Sequence, residues 1–315
     1  MLAISNRSKG LLMVTIGAAF WGLSGTVAQN LFQENNMSMA WLVTVRLLVS
    51  GILLITLGFF GSEKTKIFTV WKHKKYRVKL IVFGILGMLG VQYTYFASID
   101  EGNAAIATLL QYLAPAFIVF YGLLRYKSLP TFIDFISIFL ALTGTFLLLT
   151  NGKIDGLTVS GSSIFWGVLS GLSLAFYILY SAPLIKVLGS KIVVGWGMII
   201  GGIGISFFTP PWKVDMGNWT LSTITQTVFV IVFGTLLAFY LYIESLRYIS
   251  PKETSLLGCT EPVAAVLSSL IWLEVSFGWY QGLGALLILL MIIFMSQKSE
   301  DDVKNTNHLE KGAGH

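Results

Sequence analysis

Glu261 and Pro262 stand side by side in an otherwise apolar run, TSLLGCTEPVAAVLSSLIWLE, from Thr254 to Glu274. A carboxylate inside hydrocarbon is costly, and a proline removes a backbone hydrogen bond from the helix that holds it. The two together point to a helix that lines a cavity rather than facing lipid. Pro115 repeats the theme 147 residues earlier, in AAIATLLQYLAPAFIVFYGLL from Ala104 to Leu124. A carboxylate so placed could bind a substrate amine or carry a coupling proton, since its charge state follows its surroundings. The alternative is that Glu261 hydrogen-bonds a neighbouring helix or caps backbone amides near Pro262. Gly258, Glu261, Ala265 and Ser268 share one small, polar face, as expected of a helix packed on protein. Pro115 and Pro262 are hinges for a moving helix, or fixed kinks that shape a cavity.

Aromatic and amide side chains recur inside the apolar runs. Trp21 and Trp166 lie too deep in their runs for an interfacial belt. With Gln92, Tyr93, Tyr95, Gln111, Tyr112, Tyr177, Tyr240 and Tyr242 they are candidates to line a pocket, about half facing it and the rest packing. Such a lining suits amphipathic organic solutes better than inorganic ions. Arg46 falls inside the second run near its end, where long basic side chains usually reach for the surface, although a role on a substrate carboxylate is open. Glu244 and Arg247, three residues apart, have the spacing of a local ion pair, structural or gating.

Enzymatic chemistry finds no purchase. Gly22-Leu23-Ser24-Gly25 resembles the motif of intramembrane serine proteases, but His73, His308 and His315 all fall in polar segments, away from Ser24. One cysteine, Cys259, excludes an internal disulfide and a multi-cysteine metal site, so no metal, cofactor or catalytic residue is expected. No nucleotide-binding motif interrupts the apolar runs.

The elements that must position these residues follow from hydropathy. With 55% hydrophobic and 11% charged residues, and a mean hydropathy of +0.77, the chain is expected to be an all-α integral membrane protein. Apolar runs predict ten spans, at 10–31, 40–60, 79–99, 104–124, 131–150, 159–182, 191–210, 223–246, 254–273 and 279–296. No cleavable leader is expected, since Leu11 runs straight into a span. Of 21 lysines and arginines, all but Arg46, Lys153 and Lys213 then fall in segments on one side, so both termini are expected in the cytoplasm. The net charge of +6 reads as this bias and not as a nucleic-acid footprint. Residues 299–315 are polar and read as a disordered cytoplasmic tail.

The chain also repeats itself. Phe20-Trp21-Gly22 recurs as Phe165-Trp166-Gly167, and YTYFAS from Tyr93 lines up with YLYIES from Tyr240 at the 147-residue offset of the prolines. Residues 1–152 and 153–298 are therefore two five-helix repeats. An odd number of spans per repeat forces the second to enter the membrane inverted. Inverted repeats place a site between the halves and open it alternately to each side. Gly167-x-x-x-Gly171 and Gly197-x-x-x-Gly201 are helix-packing signatures, within the chain or at a homodimer contact, so monomer and homodimer both stand.

These features together resemble the drug/metabolite transporter superfamily, EamA type: ten spans in inverted fives, aromatic-Trp-Gly in the first and sixth, Glu-Pro-Val in the ninth. Glu274, after Pro262, fits the acidic residue that such repeats often carry, while Lys127 stands at the corresponding place in the first half. The resemblance implies a secondary transporter of the cytoplasmic membrane, most members exporting amino acids, metabolites or drugs. The expectation is alternating-access export of a small organic solute, driven by the substrate gradient or by proton exchange, with Glu261 the candidate to take the proton. Uptake of a sugar by a related ten-helix porter is the alternative within transport; a membrane-embedded enzyme or sensor is the alternative from another class.

Overall fold

The computed structural model describes residues 6–60, 66–126, 131–153, 156–214, 219–249 and 251–294, and these are helical apart from short connections. The expected tail at 299–315 and Lys127 lie outside the described residues. In chain order the helices are α1 (Asn6–Gln33), α2 (Met39–Phe59) and the short α3 (Lys66–Thr69), then α4 (Lys74–Val82), whose course continues through a π-helical stretch, Phe83–Leu89, into α5 (Gly90–Asp100). Next come α6 (Ala104–Gln111), α7 (Ala114–Tyr126) and α8 (Phe132–Thr150). The second part has α9 (Gly161–Leu188), α10 (Ser190–Ser206) and α11 (Leu221–Ile231), the last passing through a second π-helical stretch, Val232–Leu237, into α12 (Ala238–Ser245). It ends with α13 (Pro251–Gly258), α14 (Thr260–Ile271) and α15 (Trp279–Phe294).

Six of the continuous helical courses are long and apolar enough to cross a membrane, and four more apolar helices are shorter. Their outer faces are greasy: Phe135, Phe139, Leu142 and Phe146 of α8 are exposed, as only lipid would tolerate in such a run.

Polar residues start the helices at one end of the bundle. Ser38, Asn103, Ser160 and Thr220 accept backbone N–H groups at the openings of α2, α6, α9 and α11. At this capped end Gln29 accepts from the Ala104 N–H at 2.8 Å, and Gln33 donates to the Gly102 carbonyl at 2.8 Å, fastening the end of α1 to the start of α6. The opposite, basic end carries the ion pairs Arg7–Glu253, Lys191–Glu244 and Arg247–Glu244.

The helices exchange between the two parts of the chain. α1 packs on α12, α13 and α14, while α9 packs on α5, α6 and α7, and α2 lies along α10. Glycines make the close approaches possible. A Cβ on Gly144 would come 2.9 Å from the Gly284 carbonyl, so α8 and α15 meet backbone to backbone.

The prolines do not sit where a simple kink would put them. The helical course breaks at Tyr112–Leu113 and again at Cys259, and Pro115 and Pro262 each fall in the first turn of the helix that follows. A missing N–H costs least there. Pro183, five residues before the end of α9, is also helical.

Candidate functional site

Pro262 has no N–H to give to Gly258, four residues before it, so the break in α13–α14 leaves the Gly258 carbonyl free. The Tyr112 hydroxyl, from the break between α6 and α7, lies 3.2 Å from that carbonyl oxygen and 2.8 Å from Glu261 Oε2. The two interrupted helices therefore meet break to break. A single phenolic proton is divided between a backbone carbonyl and a carboxylate.

α1 closes the site from a third direction. Gly22 lies so tightly on α14 that an added Cβ would run into the Glu261 carbonyl and come 2.8 Å from the Ala265 nitrogen. One turn further on, Thr26 Oγ1 and Ser268 Oγ are 2.6 Å apart. The Trp21 ring, one residue before Gly22, packs at 4.9 Å on Phe239 and 5.0 Å on Tyr242 of α12. The pattern Trp-Gly thus supplies a bulky wall and a notch in consecutive positions.

Trp21, Tyr112, Tyr242 and Glu261 form one group. The other candidates are distributed around it. Trp166 of α9 packs edge-on against Tyr93 at 5.8 Å. Tyr95 bonds Thr108 at 2.8 Å and is buried, as are Gln92 and Gln111. Tyr177 packs at a tilt on Phe83, 5.0 Å away at the start of the first π-helical stretch. Tyr240 lies at the basic end, 5.4 Å beneath the Lys191 ammonium.

That end holds a cavity of about 620 Å³, bordered by Gly58, Lys191, Tyr240, Glu244 and Arg247. Its size falls in the range of small-molecule sites. Arg247 donates to Glu244 Oε1 at 2.5 Å, and Lys191 approaches Oε2 at 3.9 Å. Lys191 was invisible as a partner in the sequence, since it arrives on a different helix, 53 residues away. The Glu244 carboxylate raises the already high pKa of Arg247 through this hydrogen bond, so Arg247 is a permanent cation. A second cavity, about 500 Å³, opens at the capped end among Asn103, Asn151, Thr158 and Gln281.

Arg46 departs from the expectation that it reaches for the surface. Only 3% of it is exposed. Its Nε donates to Thr235 Oγ1 at 3.0 Å, and its guanidinium lies 4.4 Å over the Phe96 ring. The Thr235 hydroxyl, in the second π-helical stretch, itself donates to the Val230 carbonyl of α11 at 2.9 Å, five residues back. An acceptor and an aromatic face inside the bundle hold the side chain there. Neither could be read from the neighbourhood of Arg46 in the sequence. Among the described residues no cluster of three or more His, Cys, Asp or Glu could hold a metal. Glu274 lies beyond α14 in a left-handed backbone conformation, φ 51°.

The sequence profile of the EamA-like transporter family matches residues 8–150 and again 161–297. The chain is 36% identical to an uncharacterized inner membrane transporter, YicL of Salmonella typhimurium, over 94% of this chain and 98% of that protein. It is 24% identical to an uncharacterized transporter, YxxF of Bacillus subtilis, over 91% of this chain and 89% of that one. A solved crystal structure superposes over 94% of this chain and 99% of its own with a TM-score of 0.60 at 16% identity, which is a likeness of fold.

Proposed function

This chain belongs to the EamA-like transporter family of multi-pass membrane proteins, and on that premise we propose a secondary active exporter of amino acids or related small organic metabolites. It works by alternating access through ten spans arranged as two inverted five-helix repeats, residues 1–152 and 153–298. Both termini and the basic end face the cytoplasm, in keeping with the one-sided distribution of lysine and arginine. The exchange of α1 and α9 between the parts supports a site between the repeats.

The observation that carries the reading is the junction of the two helix breaks at Tyr112, Gly258 and Glu261. It offers two hydrogen-bonding states. With Glu261 ionised, Tyr112 donates to the carboxylate. With Glu261 protonated, the acid donates to the Tyr112 oxygen and the phenol turns its proton to the Gly258 carbonyl. Uptake of a proton or of a substrate ammonium at Glu261 thus changes what ties α6–α7 to α13–α14, and the breaks at Pro115 and Pro262 serve as hinges. Trp21, Tyr242, Tyr95 and Tyr112 provide the amphipathic lining, with Gln92, Gln111, Tyr93, Trp166, Tyr177 and Tyr240 around it. The cavity at Lys191, Glu244 and Arg247 is the cytoplasmic vestibule, and their ion pairs act as its gate.

The test is counterflow in proteoliposomes with labelled amino acids and labelled sugars under an imposed pH gradient. Amino-acid exchange that depends on the gradient, and loses that dependence in Glu261→Gln, is the expected result. Exchange of sugars in place of amino acids would move the substrate assignment to the porter alternative. Full pH-dependent transport by Glu261→Gln would take Glu261 out of the mechanism.

A further inference from the structure

Among the side chains described, Arg46 is the one buried lysine or arginine, and none of their carboxylates lies within 4.0 Å of it. Desolvating a guanidinium without a counter-charge is expensive, and a chain has no need to do so merely to join two helices. The way it is held leaves a specific donor edge. Nε is spent on Thr235 and one face is covered by Phe96, so the two terminal nitrogens remain as a pair of parallel donors. That edge has the geometry of a bidentate carboxylate partner.

Arg46 crosses between the helices instead of following its own. Ser50, one turn beyond it, donates to the Ile231 carbonyl, while Thr235 lies one turn beyond Ile231. Contacts from Asn35 to Thr223 and Met37 to Thr227 show that α2 and α11 run in the same direction. The side chain therefore reaches deeper into the bundle, away from the capped end. The Phe96 ring beneath the guanidinium packs at 5.4 Å on Tyr95, whose hydroxyl bonds Thr108, one turn before Tyr112 and its bond to Glu261. The cation and the carboxylate address one region.

We propose that Arg46 binds the carboxylate of the transported solute, with Thr235 as its positioning residue, so that the substrates are small organic monocarboxylates, amino acids among them. A single cation matches one negative charge; a phosphate dianion would be left half-neutralised. In an amino acid the carboxylate meets Arg46 and the ammonium is drawn toward Glu261. This inference rests on the transporter reading but is separable from it.

The experiment is a thermal-shift titration of the purified full-length protein. Probes are leucine, phenylalanine, 4-methylpentanoate and 3-phenylpropanoate, each beside its amide. The expected result is that at least one acid raises Tm while its amide does not, and that Arg46→Gln abolishes the shift. Arg46→Lys, a point charge without the fork, and Thr235→Val each weaken the binding about tenfold. Equal shifts by an acid and its amide overturn the proposal, as does an undiminished shift in Arg46→Gln. So does the absence of any shift with all four acids at about 10 mM. If Arg46→Gln does not fold, unchanged binding by Thr235→Val overturns it. Counterflow of the amides or of sugars, with no preference for acids, would sink the carboxylate anchor and leave a transporter standing. Failure of every solute to exchange would instead remove the transporter reading.

Discussion

At the 147-residue offset the two halves share a scaffold but not a chemistry. Gly87 and Gly234 are counterparts, and each lies in a π-helical stretch; the break after Gln111 answers the break after Gly258. The residues at the breaks then diverge. Glu261 has Ala114 as its counterpart, and Tyr112 has Cys259. The carbonyl that Pro115 frees, on Gln111, faces Gly171, where an added Cβ would come 3.3 Å away. The carbonyl that Pro262 frees, on Gly258, faces the Tyr112 hydroxyl. A duplicated frame thus provides two equal openings in the helices, and one half supplies the phenol while the other supplies the acid. On the proposed reading one junction holds the proton or ammonium, and the symmetric half is left for shape and movement.

The comparison can be broken most completely by topology. Cysteines placed at Lys153 and Arg125 in a Cys259→Ser background are expected to label from opposite faces of sealed vesicles; labelling from one face would end the inverted relation of the halves.

Next in size is the asymmetry of chemistry. Glu261→Gln is expected to eliminate pH-driven flux, whereas Ala114→Ser, at the matching place in the first half, is expected to retain it. Loss of coupling in both variants would return the two breaks to equal standing.

The helix contacts give a graded version. Gly22→Ala forces a Cβ into the backbone of α14 and is expected to cost about 1–3 kcal/mol of stability. Gly167→Ala meets side-chain atoms of Leu110 and Ser98 in place of backbone, and is expected to cost less than Gly22→Ala. Reversible unfolding of the two variants in detergent measures the difference.

A finer test concerns the freed carbonyl. Tyr112→Phe leaves the Gly258 oxygen without a donor and is expected to cost about 1–2 kcal/mol. In a Pro262→Ala background the restored N–H can take that role, so the same change is expected to cost less; a double-mutant cycle reads the coupling. Smallest is Arg247→Gln at the exposed basic end: Lys191 still faces Glu244 across the gate, so transport rates are expected to change only slightly, and less as salt rises.

Much of the frame was legible in the chain. Apolar run length placed the helices within a few residues, as for the run read at 104–124 and found as α6 and α7 over 104–111 and 114–126, because hydrocarbon requires satisfied backbone and so leaves little choice of structure. The repeat was legible too, since the 147-residue register is carried by residue identity. Glu261 and Pro262 stood out because both are costly in an apolar helix.

What pairs with what was decided by the tertiary structure. Tyr112 meets Glu261 across 149 residues, and Thr235 receives Arg46 across 189. Gly22 was legible as part of a motif but not as the notch for the Glu261 turn. Apolar faces in lipid do not choose their neighbours by hydrophobicity. Close packing of small residues and a few buried hydrogen bonds choose them, and both depend on the rotation and depth of helices far apart in the chain. The sequence determined that polar groups would lie within the membrane; only their convergence from exchanged helices determined which of them act together.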